Sequence, residues 1–309
     1  MLFALAGLAL MLILALLFCF FKVFYSPDRK RLGPEEYELP VGADYEPYRQ
    51  QMIDWMRMTR QMPCQELSIR SHDGLTLRGR YYEFSPDAPV ELLFHGYRGN
   101  AERDLSGGVA RCFSMGHSAL LIDQRASGFS DGHIITFGIR EHRDCLDWTS
   151  FAAAHFGKER KLILTGISMG AATVVMASQA QLPEQVMYIL ADCGYTSPRE
   201  IIRKVCRDAH YPVVLTYPLV RLSARLFGGF DLEAFSPEEA VTQRKVPIIF
   251  IHGEADGFVP CDMSRQLYAR CAAPKKLLIV PNAGHGLAYP VDPEGYLQAM
   301  QEFEAACDR

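Results

Sequence analysis

One short segment constrains the fold of this chain more than any other. Residues 166–170 read Gly-Ile-Ser-Met-Gly, directly after the apolar run 161–165 and directly before the apolar run 171–177. An apolar strand, a tight turn with glycine two residues before and two after a serine, and a buried helix predict a unit that presents the serine at the edge of a sheet. The glycines are needed because strand and helix approach closely at such a turn. Ser168 is therefore the first candidate nucleophile.

The pattern around this segment predicts an α/β fold. The alternating stretches 66–70 and 75–82, joined by a His-Asp-Gly turn, predict a leading hairpin. Continuous apolar runs predict six buried strands, at 90–94, 119–122, 161–165, 186–190, 246–251 and 277–280. Helices are predicted between them, at 101–115, 139–156, 169–181, 262–271 and 293–307. This alternation predicts a mostly parallel sheet with helices on both faces.

One interval breaks the alternation. Residues 195–240 are too many for a single crossover, and they contain a capped helix start at 197–200 and an apolar stretch at 211–226. We predict that this insertion forms a cap over the carboxyl ends of the strands. The alternative is that its apolar side chains serve only its own packing.

The first residues predict a membrane helix. Residues 1–21 carry no charged side chain, and at ~1.5 Å rise per residue they span roughly 31 Å, the thickness of a bilayer's hydrocarbon core. We assign 1–22 as a transmembrane anchor. The alternative is a cleaved signal peptide. The long apolar run, the lack of a basic segment before it and the lack of an Ala-x-Ala-like site before Lys22 favour the anchor.

Basic residues indicate how such an anchor would be oriented. Lys22 and the cluster Arg29, Lys30 and Arg31 follow the span, so the positive-inside rule predicts a cytoplasmic catalytic domain. An extracytoplasmic location is the alternative, since large domains can be translocated regardless of such charges.

Residues 23–64 are predicted to hold a polar linker and an amphipathic helix at 45–62, and 65–309 the globular domain that contains the insertion. The net charge of −4 gives no reason to expect a nucleic-acid partner. Nine cysteines without a C-x-x-C pair indicate reduced core thiols, so neither a metal nor another cofactor is expected. The oligomeric state is left open.

Two further residues complete a catalytic set. Asp256 follows the predicted strand 246–251, and His285 follows the next one. The chain order serine, aspartate, histidine is that of one class of serine hydrolase, so Ser168 would be the nucleophile, His285 the general base and acid, and Asp256 the group that orients the imidazole. Asp192 and Glu254 are rival acids.

An oxyanion hole needs two backbone N–H donors. Met169 stands at the start of the helix after the serine, where the helix dipole also helps. The second donor is the backbone N–H of Tyr97, in the loop that follows strand 90–94. The Tyr97 side chain is not required for this role. His95 and His252 each precede a glycine at a strand end, and we expect them to brace loops.

Five motifs carry a resemblance to a known family. They read HGYRGN at 95–100, DQRASGFSDG at 123–132, GISMGA at 166–171, GEADGFVP at 253–260 and AGHG at 283–286. Together they resemble the α/β-hydrolase superfamily, and among its branches the serine aminopeptidase-like hydrolases, many of them membrane-anchored. The resemblance covers residue 66 to the carboxyl terminus. It implies the α/β-hydrolase fold and the same triad.

The second motif departs from the superfamily's D-x-R-G-x-G-x-S pattern. Asp123, Arg125, Gly128 and Ser130 match it, but Ala126 replaces the first glycine. We expect this change to affect only a structural turn.

The leading hypothesis is a serine hydrolase that cleaves an ester, thioester or amide of a small or lipidic acyl substrate. The anchor and the apolar insertion favour esterase or lipase-like chemistry. A serine aminopeptidase-like peptidase is the alternative. A third hypothesis is that the protein is a non-catalytic binding module tethered to a membrane.

Overall fold

The computed structural model of this protein describes residues 2–27, 32–243 and 246–307. Its eight strands form one sheet in the order β1-β2-β4-β3-β5-β6-β7-β8. The strands are β1 Gln65–Arg70, β2 Thr76–Tyr82, β3 Val90–Phe94, β4 Ser118–Asp123, β5 Leu162–Ile167, β6 Val186–Asp192, β7 Ile248–Gly253 and β8 Lys275–Val280. β1 and β2 pair antiparallel, β2 pairs antiparallel with β4, and all remaining pairs are parallel. The predicted hairpin and parallel sheet are confirmed.

Helices cover both faces of this sheet. They are α1 Leu2–Val23, α2 Arg49–Gln61, α3 Ala101–Ser114, α4 Glu141–His155, α5 Met169–Ala177, α6 Pro198–Asp208, α7 Val213–Ser223, α8 Pro237–Ala240, α9 Asp262–Arg270, α10 Ala288–Val291 and α11 Pro293–Cys307. A 3-10 helix, Ala43–Tyr48, precedes α2, and a π-helical turn, Ala224–Gly228, follows α7.

Alternate residues of the central strands separate the two faces, as the period of a β-strand requires. On β3, Leu92 and Phe94 join a cluster with the buried residues of α4 and α5, whereas Leu93 joins α3 on the opposite face. Trp148 of α4 is fully buried in the first cluster. Every residue of β3 is buried, and all but Glu91 are apolar, which is typical of a strand covered on both faces.

Capping side chains explain several helix ends. The Asn100 and Ser197 side chains accept hydrogen bonds from Arg103 N–H and Glu200 N–H, which begins α3 and α6. Asp292 accepts from Gly295 N–H at 2.9 Å, with Pro293 as the first residue of α11. The cap of α6 is the one predicted at 197–200.

The amino-terminal helix is docked on the domain at one end. Of α1, the stretch Phe3–Val23 has a mean hydropathy of 2.8 and is long and apolar enough to span a membrane. Leu16, Phe20 and Phe24 recur every four residues and are 4%, 7% and 0% exposed. Phe20 and Phe24 pack against the insertion, with the rings of Phe20 and Phe227 5.7 Å apart and those of Phe24 and Phe230 5.3 Å apart. The carboxyl end of α1 and the residue after it therefore share a buried cluster with the insertion. The basic residues 29–31 lie outside the described part of the chain.

The predicted amphipathic helix is α2, and it packs on the domain. Met56 and Thr59 are its buried residues. The hydroxyls of Thr59 and Ser106 lie 3.1 Å apart, which joins α2 to α3. The amphipathic helix predicted at 45–62 is thus present at Arg49–Gln61 and packs on α3.

Candidate active site

The serine lies at a strained turn between β5 and α5. Ser168 has φ 58° and ψ −116°, a backbone conformation that L-residues rarely adopt. A Cβ on Gly166 would stand 2.1 Å from the carbonyl oxygen of Gly170, and one on Gly170 would stand 2.0 Å from the carbonyl oxygen of Phe94. Neither position can hold a larger residue without moving the backbone. The two glycines of the sequence motif are thus explained by close packing of helix on strand.

The three predicted side chains meet in a chain of hydrogen bonds. His285 Nε2 lies 2.9 Å from Ser168 Oγ, and His285 Nδ1 lies 2.7 Å from Asp256 Oδ2. The Asp256 carboxylate can only accept a hydrogen bond, so the Nδ1 of His285 carries the proton that it donates. The Nε2 of His285 is then free to accept the proton of the Ser168 hydroxyl. The three residues come from loops after β5, β7 and β8, at the carboxyl edge of the sheet.

The Asp256 carboxylate is fully surrounded by donors. Its Oδ1 accepts from the N–H groups of Phe258 and Val259, at 2.9 and 2.8 Å. Its Oδ2 also lies 3.1 Å from Nε2 of His252. Burial alone would raise the pKa of the Asp256 carboxyl, but the hydrogen bonds to His252 and His285 outweigh it and hold the pKa well below its usual range. The group is therefore charged at neutral pH.

The rival acids stand elsewhere. Asp192 Oδ2 accepts from the hydroxyl of Tyr296 at 2.9 Å, and burial raises the pKa of Asp192 to about 6. Glu254 is exposed. No hydrogen bond joins either of them to His285 in the described part of the chain. Of the three acids that the sequence offered, the geometry brings only Asp256 to the histidine.

The two candidate oxyanion donors belong to segments that adjoin the serine. Met169 is the first residue of α5, where backbone N–H groups lack intrahelical partners. On the other side, Gly96 lies so close that a Cβ there would stand 3.4 Å from Ser168 Cβ. Gly96 N–H donates to Asp104 Oδ2 at 3.1 Å, and the next residue, Tyr97, lines the same cavity as Ser168.

The histidines expected to brace loops do so. His95 Nδ1 lies 2.8 Å from its neighbour's carbonyl oxygen, and its Nε2 accepts from Gln124 N–H at 3.0 Å. His252 contacts Ser264 Oγ at 2.7 Å through Nδ1 while its Nε2 faces Asp256. The contact of His252 with the acid went beyond the prediction.

A cavity of about 610 Å³ opens beside Ser168 and His285. Its walls are mostly apolar, and Arg111, Asp192 and Tyr296 lie among the lining residues of its polar part. The segment that covers it is 40–55, which contributes Tyr45, Met52 and Trp55 among others. Residues 195–240 were predicted to cap the site, but none of the described ones lines this cavity. They pack on α1 instead, because α1 offers them an apolar partner.

Two residues at the site escaped the sequence analysis. The Tyr45 hydroxyl donates to the carbonyl oxygen of His285 at 3.0 Å, and the ring of Phe258 meets the His285 ring edge-to-face at 5.1 Å. Tyr45 is 240 positions from His285. No local pattern could have indicated that contact. Phe258 is different, because its position two residues after Asp256 in the sequence already indicates that it lies near the site.

Two groups of side chains have the proximity that a metal site needs. Cys193, Asp256 and His285 each offer a ligand atom within 4.8 Å of the others, and so do His72, Asp73 and Asp144. In the first group Asp256 and His285 are already hydrogen-bonded to each other. In the second both carboxylates pair with the guanidinium of Arg125. All nine cysteines are free thiols.

The motif at 123–130 forms a turn, as expected. Asp123 accepts from Ala101 N–H and Phe129 N–H, and a Cβ on Gly128 would stand 2.1 Å from its carboxylate. Ala126 has φ 60°, where glycine would be relaxed. The replacement of glycine by Ala126 therefore concerns backbone strain in a turn.

Comparison with known proteins agrees with this architecture. The profile of the prolyl oligopeptidase family matches residues 114–307. The uncharacterized protein YqkD of Bacillus subtilis is 24% identical over 245 residues, which are 79% of this chain and 80% of that protein. Protein bem46 of Schizosaccharomyces pombe is 25% identical over 80% of this chain and 78% of that protein.

Among solved structures, the esterase Pf2001 of Pyrococcus furiosus superposes with a TM-score of 0.65 at 20% identity. The superposition covers 89% of this chain and 98% of the esterase. At that identity the likeness concerns the fold, which is the α/β-hydrolase fold.

Proposed function

The chain belongs to the prolyl oligopeptidase family of α/β hydrolases, and from this premise we propose that it is a serine hydrolase acting through an acyl-enzyme. The single observation that carries the proposal is the hydrogen-bonded chain from Ser168 through His285 to Asp256 at the mouth of a cavity. Nucleophile, base and orienting acid at such distances are the arrangement that activates a serine hydroxyl.

In the proposed reaction, Ser168 Oγ attacks the acyl carbon while His285 Nε2 takes the hydroxyl proton. The resulting imidazolium is stabilised by the charged Asp256 at Nδ1. Collapse of the tetrahedral intermediate breaks the bond to the leaving group, which receives the proton from Nε2. A water molecule then attacks the acyl-enzyme by the same steps, releases the acid and restores the serine.

The negative oxygen of each tetrahedral intermediate would be bound by the backbone N–H groups of Tyr97 and Met169. Both donors would be fixed before the reaction, so they stabilise charge without reorganisation. At Met169 the amino end of α5 adds a favourable dipole.

The cavity favours an apolar acyl group. Met52, Trp55, Leu93, Ile167 and Tyr289 lie among its lining residues. Burial of an acyl chain against them contributes about 0.8 kcal/mol per methylene group. A carboxylic ester or thioester with a hydrocarbon acyl chain is therefore the proposed substrate class.

A peptidase is the second candidate, favoured by one observation. Asp192 lines the cavity, and its Oδ1 has no hydrogen-bond partner among the described residues. A carboxylate beside the cavity is the group that would bind a substrate amine. This reading predicts turnover of aminoacyl amides.

We also propose that α1 anchors the enzyme in a membrane and that the hydrolase domain faces the cytoplasm. The length and hydropathy of the helix support the anchor. The orientation depends on Lys22 and the three basic residues that follow. Protease added outside intact cells would leave the domain uncut, and digestion from outside would refute the orientation alone.

A fluorophosphonate probe tests the chemistry. The full chain in detergent should be labelled at Ser168, and the Ser168→Ala variant should not be. Activity should then be measured on short and long acyl esters, thioesters and aminoacyl amides. Absence of labelling on the folded protein would overturn the proposal and favour the binding-module alternative. Faster turnover of the aminoacyl amides than of the esters would favour the peptidase over the esterase.

A further inference from the structure

The loop after β3 is bound to the carboxyl end of α1. The Tyr97 hydroxyl donates to the carbonyl oxygen of Val23 at 2.7 Å. The Arg98 Nη2 donates to the carbonyl oxygens of Lys22 and Tyr25, at 2.9 and 3.1 Å. Two adjacent side chains of the loop therefore contact three carbonyl groups at one helix end.

These carbonyl groups need partners. The last four C=O groups of a helix have no intrahelical donor, and together they form the negative end of the helix dipole. A hydroxyl and a cationic guanidinium are suitable donors there, and the charged one makes the stronger hydrogen bond. Tyr97 and Arg98 thus act as the carboxyl-terminal cap of α1.

The helix end is itself rigidly held by the domain. Ser26 N–H donates to His133 O at 2.8 Å, and Ile135 N–H donates to Phe24 O at 2.9 Å. The Phe24 side chain is fully buried. Because α1 ends in a fixed position, the contacts from the loop to α1 hold the loop in place and not only the helix.

The loop has a conformation that needs such support. Arg98 has φ 54°, in the left-handed region, and the ring of Tyr97 stacks on Phe137 with centroids 5.0 Å apart. The Tyr97 side chain is thus held at its ring and at its hydroxyl. Since the backbone N–H belongs to the same residue, fixing the side chain restricts the direction of that N–H.

We infer that the carboxyl end of α1 positions the oxyanion hole, through the hydroxyl of Tyr97 and the guanidinium of Arg98. The inference rests on the proposed function, because it needs the Tyr97 N–H to bind the oxyanion. Both side chains are positioning residues. They act through the loop backbone and touch no reacting atom.

The kinetic consequence is specific. An oxyanion donor acts on a charge that exists only in the transition state, so its displacement lowers kcat and leaves KM nearly unchanged. Complete removal of one such donor costs about 10²- to 10³-fold in kcat. For a donor that is present but less well aimed, we expect a loss of about 10-fold from Tyr97→Phe or from Arg98→Gln, and about 10²-fold from the double variant.

The experiment uses the full chain in detergent micelles, with a short acyl ester as substrate. Wild type, Tyr97→Phe, Arg98→Gln and the double variant are compared for kcat, for KM and for inhibition by a trifluoromethyl ketone, which forms a hemiketal oxyanion on a catalytic serine. The inhibition constant should rise in parallel with the loss of kcat. Tyr97→Phe keeps the ring that stacks on Phe137 and removes only the hydroxyl.

Tyr195→Phe is the matched control. The Tyr195 hydroxyl is also buried and donates to a backbone carbonyl, that of Phe137, at 3.1 Å. This bond reaches the Phe137 backbone and neither α1 nor the loop, so the variant disturbs the residue on which Tyr97 stacks while the contacts to α1 stay intact. Its loss should lower the melting temperature by an amount similar to that of Tyr97→Phe, and kcat should stay within about twofold of wild type.

The outcomes separate cleanly. Wild-type kcat in folded Tyr97→Phe and Arg98→Gln would overturn the inference, and so would an equal loss of kcat in Tyr195→Phe. Should Tyr97→Phe not fold, Arg98→Gln carries the same test from the partly exposed end of the loop. Activity retained in Ser168→Ala would refute the proposed function, whereas an inactive Ser168→Ala with unaffected loop variants would refute the positioning role alone.

Discussion

Two buried networks of this protein contain the same kinds of groups and serve different ends. The first joins Ser168, His285 and Asp256. The second joins Thr165, His117 and Glu91: the Thr165 hydroxyl donates to Glu91 Oε2 at 2.9 Å, and His117 Nδ1 lies 2.7 Å from Glu91 Oε1. A hydroxyl, a histidine and a carboxylate are present in both.

The order of the hydrogen bonds distinguishes the networks. In the first, the hydroxyl faces a ring nitrogen that can take its proton. In the second, the Thr165 hydroxyl and the histidine both contact the carboxylate, so the histidine is not placed to activate the hydroxyl. Arg111 closes the second network, with Nη2 2.6 Å from Glu91 Oε2.

Location is the second difference. Ser168 and His285 line the cavity at the carboxyl edge of the sheet, whereas in the second network the carboxylate and the histidine, Glu91 and His117, do not line it. Thr165 and Arg111 of that network lie among the lining residues. Glu91 lies within β3 and is 0% exposed. The difference therefore lies in the histidine: that of the first network faces both a hydroxyl and the cavity, whereas that of the second is enclosed beside a buried carboxylate.

The largest expected effect is at the serine. Ser168→Ala should lower kcat/KM on the order of 10⁵- to 10⁶-fold, or ~7–8 kcal/mol, because triad members act as a unit. His285→Ala should lose about as much, and the double variant little more. The melting temperature should change little. Steady-state kinetics with thermal unfolding would check this, and a largely active Ser168→Ala would contradict the mechanism.

The second largest loss of activity is expected from changing the acid of the triad, Asp256. Asp256→Asn should lower kcat roughly 10⁴-fold, since an amide favours the wrong tautomer of His285. Asp192→Asn is the control, and its loss should be much smaller. A pH–rate profile of both variants would separate the roles. The reverse ranking would assign the acid to Asp192.

For the structural network the effect should appear in stability. Glu91→Gln leaves Arg111 and His117 without their shared anion, which costs about 3–5 kcal/mol for a buried pair. The rate per fluorophosphonate-labelled serine should stay within about twofold of wild type. Denaturant unfolding and active-site titration measure the two quantities. Lost turnover at unchanged stability would mean that the two networks are coupled.

The smallest expected effect is a pH dependence of stability. Burial alone would lower the pKa of His117, but hydrogen bonds to Glu304 and Glu91 outweigh it and raise that pKa to about 9. The folded state therefore binds the proton more tightly than the unfolded state. The stabilisation is complete below the unfolded pKa of about 6.5 and is lost as pH rises through about 9, on the order of 3 kcal/mol in total.

This pH effect can be isolated with one variant. The free energy of unfolding of wild type should fall between pH 6.5 and 9, and that of His117→Gln should change less over the same range. Equal slopes for the two proteins would show that His117 is not the titrating group.

Much of the site could be predicted from sequence because its determinants are local. The spacing of Gly166, Ser168 and Gly170 reflects contacts between adjacent elements, and the apolar runs before Asp256 and His285 placed both residues at strand ends. Parallel strands bring their carboxyl ends to one edge, so three separate loops were expected to meet. The covalent order of the chain was enough for this part.

What covers the cavity was decided only by the tertiary structure. The sequence predicts an amphipathic helix at 45–62 and an apolar stretch at 211–226, and no local pattern tells which apolar surface each will bury. In the folded protein 195–240 buries its surface on α1, and 40–55 lies over the site. Likewise the bond from Tyr97 to Val23 joins residues 74 positions apart. Such contacts depend on which surfaces meet when the whole chain packs, and neighbouring residues in the sequence do not encode that choice.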